Sequence, residues 1–161
     1  MEPIDLLMMK RILYYKMTNH PLYPKLLVFL QFSLIGLMLL FLKGVSIIGI
    51  LIFLVGAIVG LLALTQNRIG NFNIQPKMKD NAKLITTGIY AYIRHPMYLS
   101  VLLMMLGVFI CSPSIIEAIF LLLLTTVLVL KAKKEEAIWS SKTQEYVEYK
   151  KQTKLFIPFI L

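Results

Sequence analysis

Long apolar runs alternate with short polar connections along the chain, and the first two runs are the clearest. The first, Leu26 to Leu42, is interrupted by polar side chains only at Gln31 and Ser33, and the second, Val45 to Thr65, carries no charge. Each approaches the roughly 20 residues that a helix needs to cross a bilayer. The pattern therefore predicts two membrane helices joined by a short connection.

The third and fourth runs, Met97 to Cys111 and Ile115 to Leu130, are separated by the sequence SPS at 112–114. Ser-Pro-Ser is typical of a turn, and Pro113 would remove a hydrogen bond from the middle of one longer helix. These runs are short for a span, but tilt and local thinning of the bilayer accommodate such a mismatch. We therefore expect four transmembrane helices arranged as two hairpins.

Composition agrees with a membrane location. The 161 residues are 58% hydrophobic and only 16% charged, with a mean hydropathy of +0.78. These values are typical of a small integral membrane protein rather than a soluble domain. The predicted fold class is all-α, and residues 1–161 form a single membrane domain.

The distribution of basic residues predicts the topology. Of the 17 Lys and Arg residues, only Lys43 lies in one of the two short connections, and the others lie in the two terminal segments and the middle loop. The positive-inside rule then places both termini and the middle loop in the cytoplasm. The net charge of +9 is explained by this topology and by attraction to anionic lipids, so no nucleic acid partner is expected.

Two nearly identical tetrapeptides precede membrane helices: HPLY at 20–23 and HPMY at 95–98. Proline suits the first turn of a helix and tyrosine suits the headgroup region, so a structural role explains both copies. The second copy differs because Arg94 precedes it and the polar loop 66–94, which includes Gly88, leads into it. A helix N-terminus beside an arginine favours a carboxylate or phosphate, so we expect a site at the second copy only.

A second polar cluster follows the fourth apolar run. Because no Gly or Pro occurs in Lys131–Lys154, the fourth helix is predicted to continue through this segment into the cytoplasm. Lys131 and Glu135 then lie one turn apart on one face, and Glu136 points elsewhere. A charged, solvated extension explains this pattern, but a carboxylate pair at the membrane boundary needs a cationic partner, which Arg94 or a ligand would supply. Cys111 is the only cysteine, so neither a disulfide nor a metal cluster is expected.

The order of these motifs resembles the isoprenylcysteine carboxyl methyltransferase and phospholipid methyltransferase superfamily. The matching segments are GIYAYIRHPMY, a following pair of membrane helices, the EE pair, EYVEYKK and FIP, within residues 71–158. The resemblance implies an integral membrane methyltransferase that uses S-adenosylmethionine and takes a lipophilic acceptor from the bilayer. Residues 66–161, with the cytoplasmic loop, second hairpin and C-terminal helix forming a cofactor pocket, would be the catalytic part, and residues 1–65 the N-terminal segment and first hairpin.

The resemblance also assigns residues to the cofactor. In this sequence they are Gln75, the loop residues Leu84, Ile85, Thr86, Thr87, Gly88, Ile89 and Tyr90, the signature residues His95 and Tyr98, the following turn Leu102, Leu103, Met104 and Met105, and Glu135. Glu135 would hold the ammonium group of the cofactor, and Glu136 would support it.

Catalytic roles are expected for Arg94, Lys131 and Glu136. Lys131 stands where prenylcysteine methyltransferases have a substrate-binding arginine, whose bidentate geometry lysine cannot reproduce. A carboxylate acceptor would need only a cation, Arg94 or Lys131, to orient it. An amine acceptor would have to lose a proton to Glu136 or His95.

The leading hypothesis is therefore carboxyl O-methylation of an isoprenylcysteine-like acceptor. N-methylation of a phospholipid headgroup or another amine is the alternative, and a non-catalytic lipid-binding protein with the same fold is the hypothesis from another class. Membrane lipids and a lipophilic or prenylated small molecule are the expected partners.

Overall fold

The structure, a computed structural model, describes residues 20–67, Gln75 and residues 83–156. Within them the helices are α1 (Tyr23–Leu40), α2 (Ile47–Gln66), a 3₁₀ turn (Gly88–Ala91), α3 (Pro96–Cys111), α4 (Ile115–Lys142) and α5 (Gln144–Gln152). The described residues contain no strand, which confirms the all-α prediction. The segment before His20, most of the loop 66–82 and the closing FIP beyond Phe156 lie outside the described residues.

The three longest helices agree with the predicted apolar runs. α1, α2 and α4 are each long and apolar enough to cross a membrane, whereas α3 has 16 residues and is a shorter apolar helix. Within residues 20–67 and 83–156 the structure therefore shows three candidate spans where the sequence predicted four. The predicted turn at SPS is present, since α3 ends at Cys111 and α4 begins at Ile115. Ser114 caps α4 by accepting a hydrogen bond from the backbone N–H of Glu117 at 3.1 Å.

Helix α4 continues past Leu130, as predicted, but it does not run through the whole of Lys131–Lys154. It ends at Lys142 because Thr143 adopts an extended conformation, with φ −147° and ψ 132°. The Thr143 hydroxyl accepts a hydrogen bond from the backbone N–H of Glu145 at 3.1 Å and so starts α5. A side-chain cap of this kind competes with helix continuation without any Gly or Pro. The extension beyond the apolar part of α4 is therefore two helices rather than one.

Helices α1 and α4 pack antiparallel along a shared face. The Phe41 and Phe120 rings meet edge to face at 5.9 Å near one end, and Lys134 Nζ lies 5.5 Å from the centre of the Tyr23 ring near the other. Between these contacts the buried positions of α1 recur at the three- and four-residue spacing of one helix face. They are Tyr23, Pro24, Leu27, Gln31, Leu34 and Met38.

Helices α2 and α3 are held close by small residues. A Cβ atom added to Gly56 would lie 2.8 Å from the backbone nitrogen of Met104, and one added to Gly60 would lie 2.5 Å from Ser100 Oγ. The hydroxyl of Ser100 donates to the carbonyl of Gly56 at 2.7 Å. Small residues and interhelical hydrogen bonds of this kind drive helix association in lipid. α3 is thereby fixed along the length of α2, with its N-terminal end near the end of α2.

Most of the exposed large apolar side chains lie on the helices and point outward from the bundle. On α2 they include Ile48, Leu51, Leu54, Val55, Ile58 and Leu61. A continuous apolar exterior of this kind is a liability in water but the expected surface of a helix in lipid. The fold is therefore that of a membrane protein.

Candidate functional site

The second His-Pro-x-Tyr copy lies where α3 begins. Pro96 occupies the first turn, where its missing N–H costs nothing. His95 stacks on Tyr98 with ring centres 5.4 Å apart and planes within 7° of each other. Both side chains are 8% exposed. The turn therefore fixes two polar rings side by side at the end of the bundle where α2 ends.

Glu135 reaches this ring pair from α4. The Tyr98 hydroxyl donates a hydrogen bond to Glu135 Oε1, and His95 Nδ1 lies 3.5 Å from Oε2 of the same carboxylate. The Glu135 side chain is 22% exposed, compared with 7% for Glu136. The structure thus brings together three residues that the sequence assigned to the cofactor, and it leaves this carboxylate open on one side.

Glu136 is held by two cations instead. Arg94 Nε donates to Glu136 Oε1 at 2.5 Å, and Lys150 Nζ lies 2.7 Å from Oε2. Arg94 also donates from Nη1 to the carbonyls of Lys150, at 3.2 Å, and Thr153. These carbonyls belong to the end of α5, where helix carbonyls lack intrahelical partners. Arg94 therefore ties α4 and the end of α5 to the start of α3.

Residues after α5 extend this attachment. The backbone N–H of Lys154 donates to the carbonyl of Tyr92 at 3.1 Å, and the N–H of Arg94 donates to the carbonyl of Lys154 at 2.8 Å. The N–H of His95 donates to the carbonyl of Leu155 at 3.1 Å. The Phe156 ring then meets the His95 ring edge to face at 6.2 Å. The C-terminal segment thus covers one side of the His95–Tyr98 pair.

Lys131 lies on the other side of Tyr98 and is 1% exposed. Its Nζ donates to Gln31 Oε1 on α1 at 2.5 Å and lies 5.1 Å from the centre of the Tyr98 ring. An ammonium over an aromatic face is attracted by the ring quadrupole. Lys131 therefore lies beside the ring pair, and α1 contributes Gln31, a residue that the sequence did not assign to the site.

The two glutamates control the charge of His95. Burial disfavours the charged imidazole, but the carboxylates of Glu135 and Glu136 outweigh burial and raise the pKa of His95 above its usual 6.5. Nε2 of His95 is buried without a hydrogen-bond partner among the described residues, and its distance to Glu136 Oε1 is 3.8 Å. The folded protein therefore holds the His95 proton more tightly than the unfolded chain does.

The predicted loop 84–90 leads into the site. Gly88 has a φ of +61°, which a residue with a side chain rarely adopts. This turn lets the N–H of Ile89 donate to Gln66 Oε1 at 2.8 Å, so the loop is fixed to the end of α2. Thr86, Thr87 and Gly88 are exposed, and Leu84, Ile85 and Ile89 are half-buried.

Tyr90 is the loop residue that lies deepest. It is 7% exposed, and its backbone carbonyl accepts a hydrogen bond from the Tyr149 hydroxyl at 2.6 Å. Burial raises the pKa of Tyr90, the contact with Asn67 lowers it, and the charge of Glu135 raises it again. Tyr90 is therefore near enough to Glu135 to sense its charge.

The remaining residues that were predicted to bind the cofactor do not lie together in one place. Met105 is buried in the core with Leu102 beside it, whereas Leu103 and Met104 pack against Gly56 on α2. Gln75 is half-buried, and most of the residues around it lie outside those described.

A cavity of about 350 Å³ opens between the loop and α5. Its lining residues are Thr86, Ala91, Glu145, Glu148, Tyr149, Gln152 and Thr153. Burial raises the pKa of Tyr149 to about 12, so its hydroxyl stays protonated at neutral pH. Of the predicted cofactor residues, this lining contains only Thr86.

The first His-Pro-x-Tyr copy has the structural role that was predicted for it. α1 begins at Tyr23. His20 is exposed, and its Nδ1 accepts a hydrogen bond from the N–H of Leu22 at 3.3 Å. The two copies differ in their surroundings and in where the helix begins, because Pro96 lies in the first turn of α3 whereas Pro21 precedes α1, whose first turn holds Pro24.

Sequence reasoning missed Gln31, Lys150 and Thr153 as neighbours of the site. Gln31 did give a signal, as one of two polar residues in the first apolar run. Lys150 resembles any other lysine of a charged helix, and Thr153 carries no pattern at all.

Comparison with known proteins adds the family. A family profile described as phospholipid methyltransferase matches residues 39–143, about two thirds of the chain. The match runs from the end of α1 through the whole of α4, and it includes Arg94, His95, Tyr98 and both glutamates. No curated protein matches the chain.

Proposed function

Because the chain belongs to the phospholipid methyltransferase family, we propose that it transfers a methyl group from S-adenosylmethionine to a lipophilic acceptor in the membrane. The leading acceptor is an isoprenylcysteine-like carboxylate. The observation that carries this proposal is the cluster formed by Glu135, Tyr98, His95 and Lys131 at one end of an apolar helix bundle.

The residues present fit the methyl donor. Its amino-acid part carries an ammonium group, and Glu135 offers a partly exposed carboxylate that is already oriented by Tyr98. Nε2 of His95 is a buried polar atom without a hydrogen-bond partner in the described part of the chain. A carboxylate held by a second residue loses little freedom when it binds a cation. Glu135 is therefore the residue that would hold the donor.

When bound, S-adenosylmethionine supplies an electrophilic methyl group on a sulfonium, and transfer breaks the carbon–sulfur bond and forms a carbon–oxygen bond to the acceptor. Lys131 would pair with the acceptor carboxylate and fix the direction of its oxygen. The apolar faces of the helices would exclude water from the reacting atoms, so the protein contributes mainly positioning and dehydration.

The surroundings of the two candidate bases, Glu136 and His95, support a carboxylate acceptor over an amine acceptor. An amine must lose a proton, and the sequence offered Glu136 or His95 for that step. Glu136 is held by Arg94 and Lys150, and the raised pKa of His95 makes it more often protonated near neutral pH. A carboxylate acceptor needs neither residue, because it is already a nucleophile.

A phospholipid amine is the second candidate, and the description of the family favours it. In that case Lys131 would pair with the headgroup phosphate, and the amine would lie toward Glu135. The same cluster would serve both acceptors, because Lys131 would pair with an anionic group in either case.

We further propose that α3 crosses the membrane beside α2, giving four spans with both termini in the cytoplasm. Sixteen residues rise about 24 Å, a few ångströms less than the roughly 30 Å hydrocarbon core. The close packing of Gly49 on Gly107 and of Gly60 on Ser100 keeps α3 alongside α2 over most of this distance. The site would then lie at the cytoplasmic surface, where a lipid acceptor can enter between helices.

Transfer of a radiolabelled methyl group distinguishes these acceptors. The purified protein is incubated with labelled S-adenosylmethionine and either N-acetyl-S-farnesylcysteine or phosphatidylethanolamine vesicles. The expected product is a methyl ester of the first, which releases labelled methanol in base, whereas an N-methyl product is stable to base. Base-stable label in the phospholipid alone would establish the second candidate, and no transfer to either acceptor would contradict the proposal.

A further inference from the structure

An unusual polar contact lies inside the bundle, between α1 and α4. Lys131 is 16 residues from the start of α4, so it lies about 24 Å along the helix from the end at Ile115. It is 1% exposed, and its hydrogen-bond partner Gln31 is 7% exposed. The contact joins residues 100 positions apart at 2.5 Å. Ionisable side chains buried inside a membrane helix bundle are costly and usually functional.

The partners of Lys131 compensate its charge incompletely. Gln31 is neutral, so it satisfies one N–H of the ammonium without removing charge. The Tyr98 ring, 5.1 Å away, adds a weak attraction. Glu135 lies one turn further along α4 and attracts Lys131 through its charge, but its carboxylate oxygens are engaged by Tyr98 and His95. The ammonium therefore keeps the capacity to bind an additional anionic oxygen.

The side chain at position 31 determines whether Lys131 can bind an anion, and glutamine differs here from a charged or an apolar residue. A carboxylate at position 31 would form a buried ion pair with Lys131 and would compete with any incoming anion. An apolar side chain would leave the ammonium without a fixed position between α1 and Tyr98. Glutamine holds the ammonium in place and leaves its charge available.

We infer that Gln31 is a positioning residue that holds Lys131 for the anionic group of the acceptor, and that it thereby makes α1 part of the acceptor site. This inference rests on the proposed function. Gln31 lies outside the segment matched by the family, residues 39–143, so the site extends beyond the part of the chain that defines the family. The anionic group is a carboxylate or a phosphodiester, which share the same oxygen chemistry.

Binding of matched acid and ester probes tests the role of Gln31 without turnover. The full-length protein in detergent is titrated with N-acetyl-S-farnesylcysteine and with its methyl ester, which has the same tail and no negative charge. Gln31→Glu should weaken binding of the acid at least tenfold and change binding of the ester less than twofold. Gln31→Asn, which keeps the amide on a shorter side chain, should fall between wild type and Gln31→Glu for the acid.

A purely structural role for Gln31 would weaken acid and ester equally, and that result would overturn the inference. Lys131→Gln provides the reference, because it should reduce acid binding while Gln31 is intact. If Lys131→Gln weakens the acid but Gln31→Glu and Gln31→Asn do not, the inference is wrong and the proposed function stands. If Gln31→Glu does not fold, the result for Gln31→Asn decides.

A second pair of probes identifies the source of the anion. Phosphatidylethanolamine in mixed micelles carries the phosphodiester, and a neutral diacylglycerol with the same chains is its control. If Gln31→Glu weakens binding of the phospholipid alone, the site is assigned to a phosphate. If it weakens binding of the farnesyl acid alone, the site is assigned to a carboxylate. If wild type binds S-adenosylmethionine but neither anion better than its neutral control, the inference is wrong and the donor part of the proposed function stands.

Discussion

Arg94 ties α4 and the end of α5 to the start of α3, and the loss of folding free energy on its removal can be worked out from its contacts. In the folded protein the Arg94 side chain is 9% exposed and the Glu136 side chain 7% exposed. Arg94→Ala leaves the buried Glu136 carboxylate with Lys150 and, at 3.8 Å, His95, and it leaves the last carbonyls of α5 without their donor. Breaking a buried ion pair by removing one partner costs about 3–5 kcal/mol.

The lower end of this range is expected because Lys150 stays in place. Its Nζ lies 2.7 Å from Glu136, although its side chain is 45% exposed and is screened by water. The lost carbonyl hydrogen bonds add about 1 kcal/mol. A total of about 3–4 kcal/mol corresponds to a fall in Tm of about 6–16 °C for a chain of this length.

Thermal unfolding in detergent, followed by circular dichroism, measures the effect. Arg94→Lys keeps the charge but not the planar fork, so its Tm should lie between those of wild type and Arg94→Ala. The matched control is Lys151→Ala on α5, which removes a pair between exposed side chains, Lys151 and Glu148, and should leave Tm unchanged. A Tm for Arg94→Ala within 2 °C of wild type would refute the role assigned to Arg94.

Three further changes test other parts of the molecule. Glu117 is fully buried, and neither carboxylate oxygen has a hydrogen-bond partner among the described residues, so Glu117→Met should stabilise by about 1–3 kcal/mol; a Tm below wild type would contradict this. Gly56→Ala places a Cβ 2.8 Å from the nitrogen of Met104 and should destabilise by about 1–3 kcal/mol, whereas Gly36→Ala meets nothing within 4 Å and should not lower Tm. Because the folded pKa of His95 is raised, its stabilising contribution is complete below about pH 6.5 and is lost as pH rises through the folded pKa. His95→Gln should therefore lower Tm more at pH 6 than at pH 9, and an effect independent of pH would exclude this linkage.

The helices were predictable because their signals are local. Each apolar run formed a helix, and Ser-Pro-Ser formed a turn because Pro113 cannot continue the helix before it. The break at Thr143 was not predicted, because a side-chain cap in SSKTQ competes with a helix that the composition allows. Such competition depends on the geometry of the following turn rather than on residue type.

The site was predictable only in part, because its contacts join distant residues. Glu135 and Tyr98 could be assigned from the resemblance, and the structure places them in contact. Gln31 and Lys131 are 100 positions apart, and nothing near Gln31 in the sequence distinguishes a polar residue facing a cation from one facing lipid. The partners of Arg94 also depend on how α5 packs, which the spacing of charges does not define.

The proposed function requires that Glu135 bind S-adenosylmethionine, and calorimetric titration of the folded protein in detergent measures this binding. Wild type should bind, and Glu135→Gln should weaken binding at least tenfold. Glu117→Gln is the matched control, because it makes the same change on the same helix about 27 Å away and should leave the Kd within twofold. Absence of binding to the folded wild-type protein, or equal effects of the two substitutions, would show that Glu135 does not hold the methyl donor.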